Sequence, residues 1–538
     1  MNRILYYNGN FITLNDAQPA ADYVLSEDGI IKEIGICGGV IPSGSDFEAA
    51  VDLDGKVVIP GMIDSHMHML TGAFSKLQAD VNDLQFDTVK DLILYIKAET
   101  AASEGWIRAT GFTEENIKEG RIPTKRDIDA VIGDRPVILT RCCGHLSVVN
   151  SAALREMDEK EMRAVCGGAF QTDEKGEFTG IVTEAAQQYI LDRIPSPSRD
   201  ALFEKLQEEQ ESLIKKGICS IHDAGTDQVL PHEYIQLYRT FADRGSLKIR
   251  TLLMVRPEDE QPFEEFVSMI EELRTLYSPR TSRLFFGTVK LFADGSIGGR
   301  TAAIQGSYVG EPGNHGLLLT DRLDRYVKQV HQAGLQLSVH AIGDRATEYI
   351  VEKIIESEAA HKTKKEHRHR VEHAELLNDA LIEKIKAHDI LIMAQPGFIT
   401  EFGNTYRKNL GDAAETIQPL KTLIEKGIPV GFGTDYPVID ANPFLGIESA
   451  VNRSVKNSEA PLNDAEGISF IESLRAYTTA GAYGAFTEKL QGSLEVGKFA
   501  DFVVIDEEQE NLEQRTHYDD LSVLKTVIGG EILYEREQ

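Results

Sequence analysis

Short apolar runs alternate along most of this chain with longer stretches whose apolar residues recur at helical spacing. The runs are Val57–Ile63, Val137–Thr140, Ile218–Asp223, Ile249–Val255, Phe285–Phe292, Leu335–His340, Arg370–Glu375, Leu391–Gln395 and Val430–Thr434. Apolar strands joined by amphipathic helices are the pattern of βα units around a parallel sheet. Nine runs are one more than a (β/α)8 TIM barrel requires. The odd one is Val137–Thr140, inside a stretch of about 73–200 where the βα rhythm breaks. The expected fold class is therefore α/β: a barrel over 59–486, with an α/β insertion at about 73–200 after its first strand.

Both ends read differently. Residues 1–58 show short strands at Ile4–Tyr7, Phe11–Leu14, Tyr23–Leu25 and Ile30–Ile34, with Asn8-Gly9 as a hairpin signal. Residues 487–538 carry Phe502–Ile505, Val523–Ile528 and Glu531–Tyr534. Each end is too thin to hold a core alone. One small β-sandwich built from both termini is the expectation, a domain discontinuous in sequence.

Composition narrows the function classes. The chain has 538 residues, 42% hydrophobic, as in a globular protein. Its formal charge of −30 repels phosphate backbones and argues against nucleic-acid binding. The one basic patch, Lys362–Arg370, reads as a solvated connection. Five scattered cysteines without a C-x-x-C pair suggest reduced thiols and a cytoplasmic protein. No signal-peptide pattern and no membrane-length apolar run are present. The partner expected is a small molecule; a homodimer is left open.

The chemistry sits at strand ends. VVIPGMIDSHMH at 57–68 leaves its apolar pattern at Asp64, His66 and His68. With a period of two, His66 and His68 face the same way and can grip one metal ion. Further candidates follow in strand order: Lys290 in an otherwise apolar strand, His340, His373 and Asp435. Each alone has a bland reading, a hydrogen-bonded histidine or a snorkelling lysine. Together they would converge at the C-terminal mouth of a barrel, where barrel active sites lie. Imidazoles with a carboxylate suit Zn²⁺, and Mn²⁺, Fe²⁺ or Co²⁺ could fill the same set.

PGMIDSHMH, the strand GICSIHDAG, the Lys290 strand, His340, His373 and GTD at 433–435 resemble the amidohydrolase superfamily. RPVILTRCCGHLSVVNSAAL (135–154), VKLFADGSIGG (289–299) and GSLEVGKFADFVV (492–504) are similar to its YtcJ-like branch, which includes N-substituted formamide deformylase. The resemblance implies His66, His68 and Asp435 on one metal and His340 and His373 on a second. It implies Lys290, carbamylated by CO₂, as the bridge. The activity implied is hydrolysis of a non-peptide C–N bond, an amide or an N-formyl or N-acyl amine. Asp435, His340 and His373 would be the catalytic residues.

Two other readings stand beside it: a mononuclear deaminase of a cyclic amidine, and an inactive relative serving as scaffold or binding protein. Substrate contacts are expected from His145, which matches the branch's G-H motif, and from Arg300 and Tyr308. The latter two lie in the stretch 294–316, which holds seven glycines and is expected to cover the substrate. Trp106, the one tryptophan, would line the same pocket or fill the insertion's core. His222 and Asp223 end a strand without a committed role. His331, His361, His367, His369 and the remaining histidines have only a structural reading.

Overall fold

A computed structural model of the chain describes residues 2–38, 47–82, 84–101, 105–141, 146–166, 168–195, 197–226, 229–258, 261–361 and 366–537. Packing divides it into two compact units, Met1–Thr71 with Gln207–Gln538, and Gly72–Leu206.

The larger unit holds an eight-stranded parallel sheet. Its strands are β1 (Met62–Met67), β2 (Ile218–Asp223), β3 (Arg250–Val255), β4 (Leu284–Phe292), β5 (Gln336–Ala341), β6 (Arg370–His373), β7 (Leu391–Ala394) and β8 (Val430–Phe432). They neighbour one another in chain order from β1 to β8. The ends are joined just past β8. Asp435 N–H donates to the His66 carbonyl at 2.7 Å, and His68 N–H donates to the Tyr436 carbonyl at 2.7 Å. Gly433 permits this approach, since a Cβ there would lie 2.5 Å from the His66 nitrogen. Asp64 ties the same seam, accepting from Thr434 N (3.1 Å) and Thr434 Oγ1 (2.5 Å).

Helices cover the strands because their apolar faces have nowhere else to go. Pro231–Asp243, between β2 and β3, shows the device. Proline opens its first turn, and Tyr234, Ile235, Leu237, Tyr238 and Phe241 form its buried face. The barrel interior beneath the mouth is polar. Arg370 is fully buried, pairing with Glu372 (2.5 Å) and reaching the Ser65 carbonyl (2.6 Å) and His222 Nδ1 (3.0 Å).

The run Val57–Ile63 is not one strand. Lys56–Pro60 belongs to another sheet and β1 begins at Met62. The break falls at Gly61, where a Cβ would lie 2.6 Å from Cys219 Sγ. Lys56–Pro60 pairs with Arg3–Ile12 on one side and Phe502–Glu508 on the other. Strands from both termini thus join one eight-stranded sheet. That much of the terminal expectation holds; a two-sheet sandwich is not confirmed. Asn8-Gly9 makes no hairpin either. Arg3–Ile12 runs through it as one strand with a register shift between Tyr7 and Phe11. A Cβ on Gly9 would lie 2.9 Å from both Leu53 Cδ1 and Phe11 Cε2, so the glycine answers packing, not a turn.

The smaller unit has its own six-stranded sheet, in the order Gly168–Thr172, Phe178–Glu184, Leu146–Val149, Val137–Arg141, Ile107–Phe112, Ala79–Asp80. Val137–Thr140, the surplus ninth run, is a central strand here. Trp106 packs on this unit's second apolar cluster and donates from Nε1 to Glu156 at 2.9 Å.

Candidate metal centre

Side chains alternate along a strand, so His66 and His68 leave the end of β1 on one face, ring centroids 5.5 Å apart. Asp435 reaches them from the end of β8. Its Oδ1 lies 3.0 Å from His68 Nε2 and 3.5 Å from His66 Nε2. Lys290, from β4, places Nζ 3.4 Å from His66 Nε2. His373, from β6, puts its ring centroid 4.8 Å from that of His66 and 4.4 Å from that of His340, at the end of β5. The six side chains read as ligand candidates come from β1, β4, β5, β6 and β8 and form one chain of neighbours.

What each imidazole does with its two nitrogens is more telling. A metal-bound histidine gives its other N–H to an acceptor. His66 Nδ1 faces Glu372 Oε2 at 2.5 Å, and His68 Nδ1 faces the Gly225 carbonyl at 2.6 Å. His340 Nε2 faces the Gly295 carbonyl at 3.0 Å, and His373 Nδ1 faces Gln395 Oε1 at 2.6 Å. Every outer nitrogen meets an oxygen acceptor. For His66, His340 and His373 that assigns the tautomers and leaves the inner nitrogens as lone-pair donors, whereas His68 turns its Nε2 to Asp435 Oδ1 at 3.0 Å. His373 Nε2 is buried with no hydrogen-bond partner among the described residues. An orphaned buried nitrogen is costly in an ordinary core. The donor set therefore fits a divalent metal ion.

The electrostatics point the same way. Burial, then the Lys290 charge, lowers His66 and His340 to about 4, and burial with the neighbouring imidazoles holds His373 well below its usual value. All three are neutral, as ligands must be. Burial lowers Lys290 to about 8. Burial pushes Asp435 up, but the His68 bond and the surrounding imidazoles outweigh it and keep the carboxylate ionised. His373 and Asp435 sit at φ +73° and +57°, backbone that L residues avoid. Such strain at two candidate ligand positions, one closing β6 and one just past β8, is typical of functional sites.

Of the other sequence candidates, the structure describes Arg300 and Tyr308. Tyr308 is buried in an apolar cluster with Ile297, Phe398 and Tyr406, and its hydroxyl donates to the Ala302 carbonyl at 2.9 Å. Arg300 pairs with Glu311 and with Asn409 Oδ1 at 3.1 Å. Neither is among the contacts of the four imidazoles. The glycine-rich stretch after β4 is pinned down. Asp294 accepts from Ala303, Ile342 and Gly343 N–H groups at 2.8–3.0 Å. His145 and the adjoining Cys142 and Cys143 lie outside the described residues. Asp223 is a buried anchor for the Tyr234 hydroxyl (2.7 Å) and the Tyr238 hydroxyl.

Sequence reasoning missed Glu372 and Gln395, the acceptors behind His66 and His373. Glu372 left a signal, a carboxylate one residue before His373 in the strand Arg370–His373. It also missed Arg256, the first polar residue past β3, whose charge acts on Lys290. A second histidine group, His331, His367 and His369, also has nitrogens close enough for a metal. Its hydrogen bonds argue against one. Leu337 N–H donates to His369 Nδ1 at 3.0 Å, so Nε2 carries the proton, which it gives to His331 Nδ1 at 3.0 Å. The inward nitrogen of His369 has no lone pair to offer, the reverse of the first centre.

A model of the amidohydrolase family matches residues 49–534. The chain belongs to that family. It is 31% identical to the putative amidohydrolase YtcJ of Bacillus subtilis (strain 168), over 99% of this chain and all of that protein. It is 23% identical to N-substituted formamide deformylase of Arthrobacter pascens, over 100% of this chain and 99% of that one. Among solved structures, an uncharacterized metal-dependent hydrolase from Pyrococcus furiosus superposes with a TM-score of 0.74 at 26% identity, covering 94% of this chain and 99% of that one. This amidohydrolase is thus a hydrolase with metal-dependent structural neighbours. Among its described residues no helix is long and apolar enough to cross a membrane.

Proposed function

We propose that this amidohydrolase cleaves a non-peptide C–N bond, an amide or an N-formyl or N-acyl amine, with water activated at the centre of His66, His68, Lys290, His340, His373 and Asp435. The observation that carries it is the outward tethering of four imidazoles, three of them held neutral, with His373 Nε2 lacking a hydrogen-bond partner among the described residues. The relative named as a deformylase of N-substituted formamides supports the bond class. A divalent ion, Zn²⁺ by its donor set, would supply water with a pKa near 7, against roughly 15.7 in bulk, and a positive charge for the carbonyl oxygen.

The chain's own residues do the rest. Glu372, held by Arg370, fixes His66 with Nδ1 protonated and Nε2 facing inward. Asp435, ionised and facing His66 and His68, accepts a proton from the attacking water. It returns that proton to the leaving nitrogen as the C–N bond breaks, giving an acid and an amine. Lys290 at about 8 has a neutral fraction at physiological pH, which carbamylation needs. A carbamate formed there from amine and CO₂, with release of a proton, would turn a cation into an anion, the charge that a site holding divalent ions needs.

A hydrolysis screen over N-formyl and N-acyl amines tests the reading. A substituted amine and a carboxylic acid should form in equal amounts. Ammonia from a cyclic amidine, with every amide untouched, would favour the deaminase instead.

A further inference from the structure

A cavity of about 1000 Å³ opens beside Lys290, lined by Leu291 and Phe292 of β4, by Leu230, and by Leu317 and Leu319. Lys290 and Phe292 share one face of β4, so the cavity and the candidate metal centre meet at that strand. The Phe292 ring lies 5.5 Å from that of His340, and Lys290 Nζ lies 5.0 Å from the Phe292 centroid. Leu230, Leu317 and Leu319 are large apolar side chains left 58%, 58% and 42% exposed. Their backbone is held in place. Leu230 N–H donates to Glu233 Oε2 at 3.2 Å, Leu317 N–H to the Thr301 carbonyl at 3.0 Å and Leu319 N–H to the Ala293 carbonyl at 2.8 Å. Leucines fixed and exposed on one concave wall are what an apolar group would cover. The arginines of the lining are engaged within the protein, Arg256 on the Thr226 carbonyl and Arg322 on the Pro257 carbonyl.

The order of the barrel strands decides which part of an amide would lie there. The strands neighbour one another from β1 to β8 around the mouth, so β3 and β4 stand across it from β8. The cavity is lined by β4, by the segments that follow β2 and β3, and by the loop after β4. Asp435 comes from just past β8 and faces His66 and His68 at the end of β1. In the chemistry proposed above, Asp435 gives a proton to the leaving nitrogen, which places that nitrogen on the β8 side. The acyl chain is bonded to the same carbon, at a tetrahedral angle once water has added. It therefore projects away from Asp435, towards β4 and the cavity.

We infer that the substrates are amides with a large apolar acyl group, which lies against Phe292 and the leucines while the amine part is turned to Asp435. This rests on the proposed hydrolysis of N-acyl or N-formyl amines and narrows it to N-acyl amines with a long or arylalkyl acyl chain. Water adds to the carbonyl carbon, the C–N bond breaks, and an apolar carboxylic acid and an amine leave.

The test is a pair of isomers that carry the same two alkyl groups on opposite sides of the amide, N-methylheptanamide and N-hexylacetamide, with N-methylacetamide as the short reference. All three are assayed with the metal-loaded enzyme. N-methylheptanamide should show at least tenfold the kcat/KM of either other compound, since each buried methylene adds to binding. Leu230→Ser and Leu319→Ser replace exposed side chains, so both variants should fold. Each should lower kcat/KM for N-methylheptanamide severalfold and leave that for N-methylacetamide unchanged. Equal efficiency of the two isomers, or preference for N-hexylacetamide, overturns the acyl site and leaves C–N hydrolysis standing. If none of the three is cleaved, the amide reading of the reaction fails. Calorimetry then still decides the cavity, with heptanoate against acetate. Heptanoate binding at least tenfold tighter than acetate, with the gap narrowed in Leu319→Ser, supports it. Equal binding of the two acids overturns it.

Discussion

At the scale of single residues, the central question is what Lys290 becomes. Its nitrogen is buried, 3.4 Å from His66 Nε2, and burial has already lowered its affinity for a proton. A carbamate there makes two expectations concrete. Lys290→Ala should lose metal and most activity, and a short carboxylic acid in the buffer should restore part of both by standing in for the carbamate. Rescue by small amines but not by acids would show that Lys290 works as a plain amine. The sequence shows which residues can ligate, because strand alternation and strand order are local properties. It does not show which nitrogen of each histidine faces inward. That depends on Glu372, 306 positions from His66, and on Gln395, 22 positions from His373. Nor does it show the left-handed backbone of His373 and Asp435, which neighbouring strands impose.

At the scale of elements, alternating apolar runs marked the barrel strands because a strand buried on both faces has no polar side to hide it. Boundaries were less legible. Val57–Ile63 is continuous in hydropathy yet splits at Gly61, since both pieces are buried in different sheets and hydropathy registers burial alone. Asn8-Gly9 had the residues of a turn, and tertiary packing against Leu53 and Val58 made it a bulge. The seam between β1 and β8 rests on a glycine in the same way. Gly433→Ala would drive a methyl into the His66 backbone and part the strands that carry His66, His68 and Asp435. That variant should melt at lower temperature and bind less metal than wild type, measured by calorimetry and elemental analysis. An unchanged melting temperature with full metal content would show that the seam tolerates the shift.

At the scale of the whole molecule, the two chain ends are organised by pairing that no local pattern announces. One sheet takes strands from both termini, and Asp501 links it to the barrel. Its carboxylate accepts from Arg250 of β3 at 2.6 and 2.9 Å and from Gly529 N–H at 2.7 Å. Arg250 also stacks over Phe499, 3.5 Å from the ring centroid. Removing one partner of a buried pair strands the other charge, at about 3–5 kcal/mol. Asp501→Ala should therefore lower unfolding free energy by that amount in a denaturant titration. A loss below about 1 kcal/mol would place the link among weak surface pairs. The apolar and charged composition set the class of protein but not this connection, which joins residues 251 positions apart.

The proposed chemistry depends on metal bound at the barrel mouth. The direct measurement is elemental analysis of protein purified without chelator, paired with activity before and after chelator treatment. One or two divalent ions per chain should be found, and activity should vanish on their removal and return when they are restored. Metal well below one ion per chain, together with full activity in chelator, would contradict it.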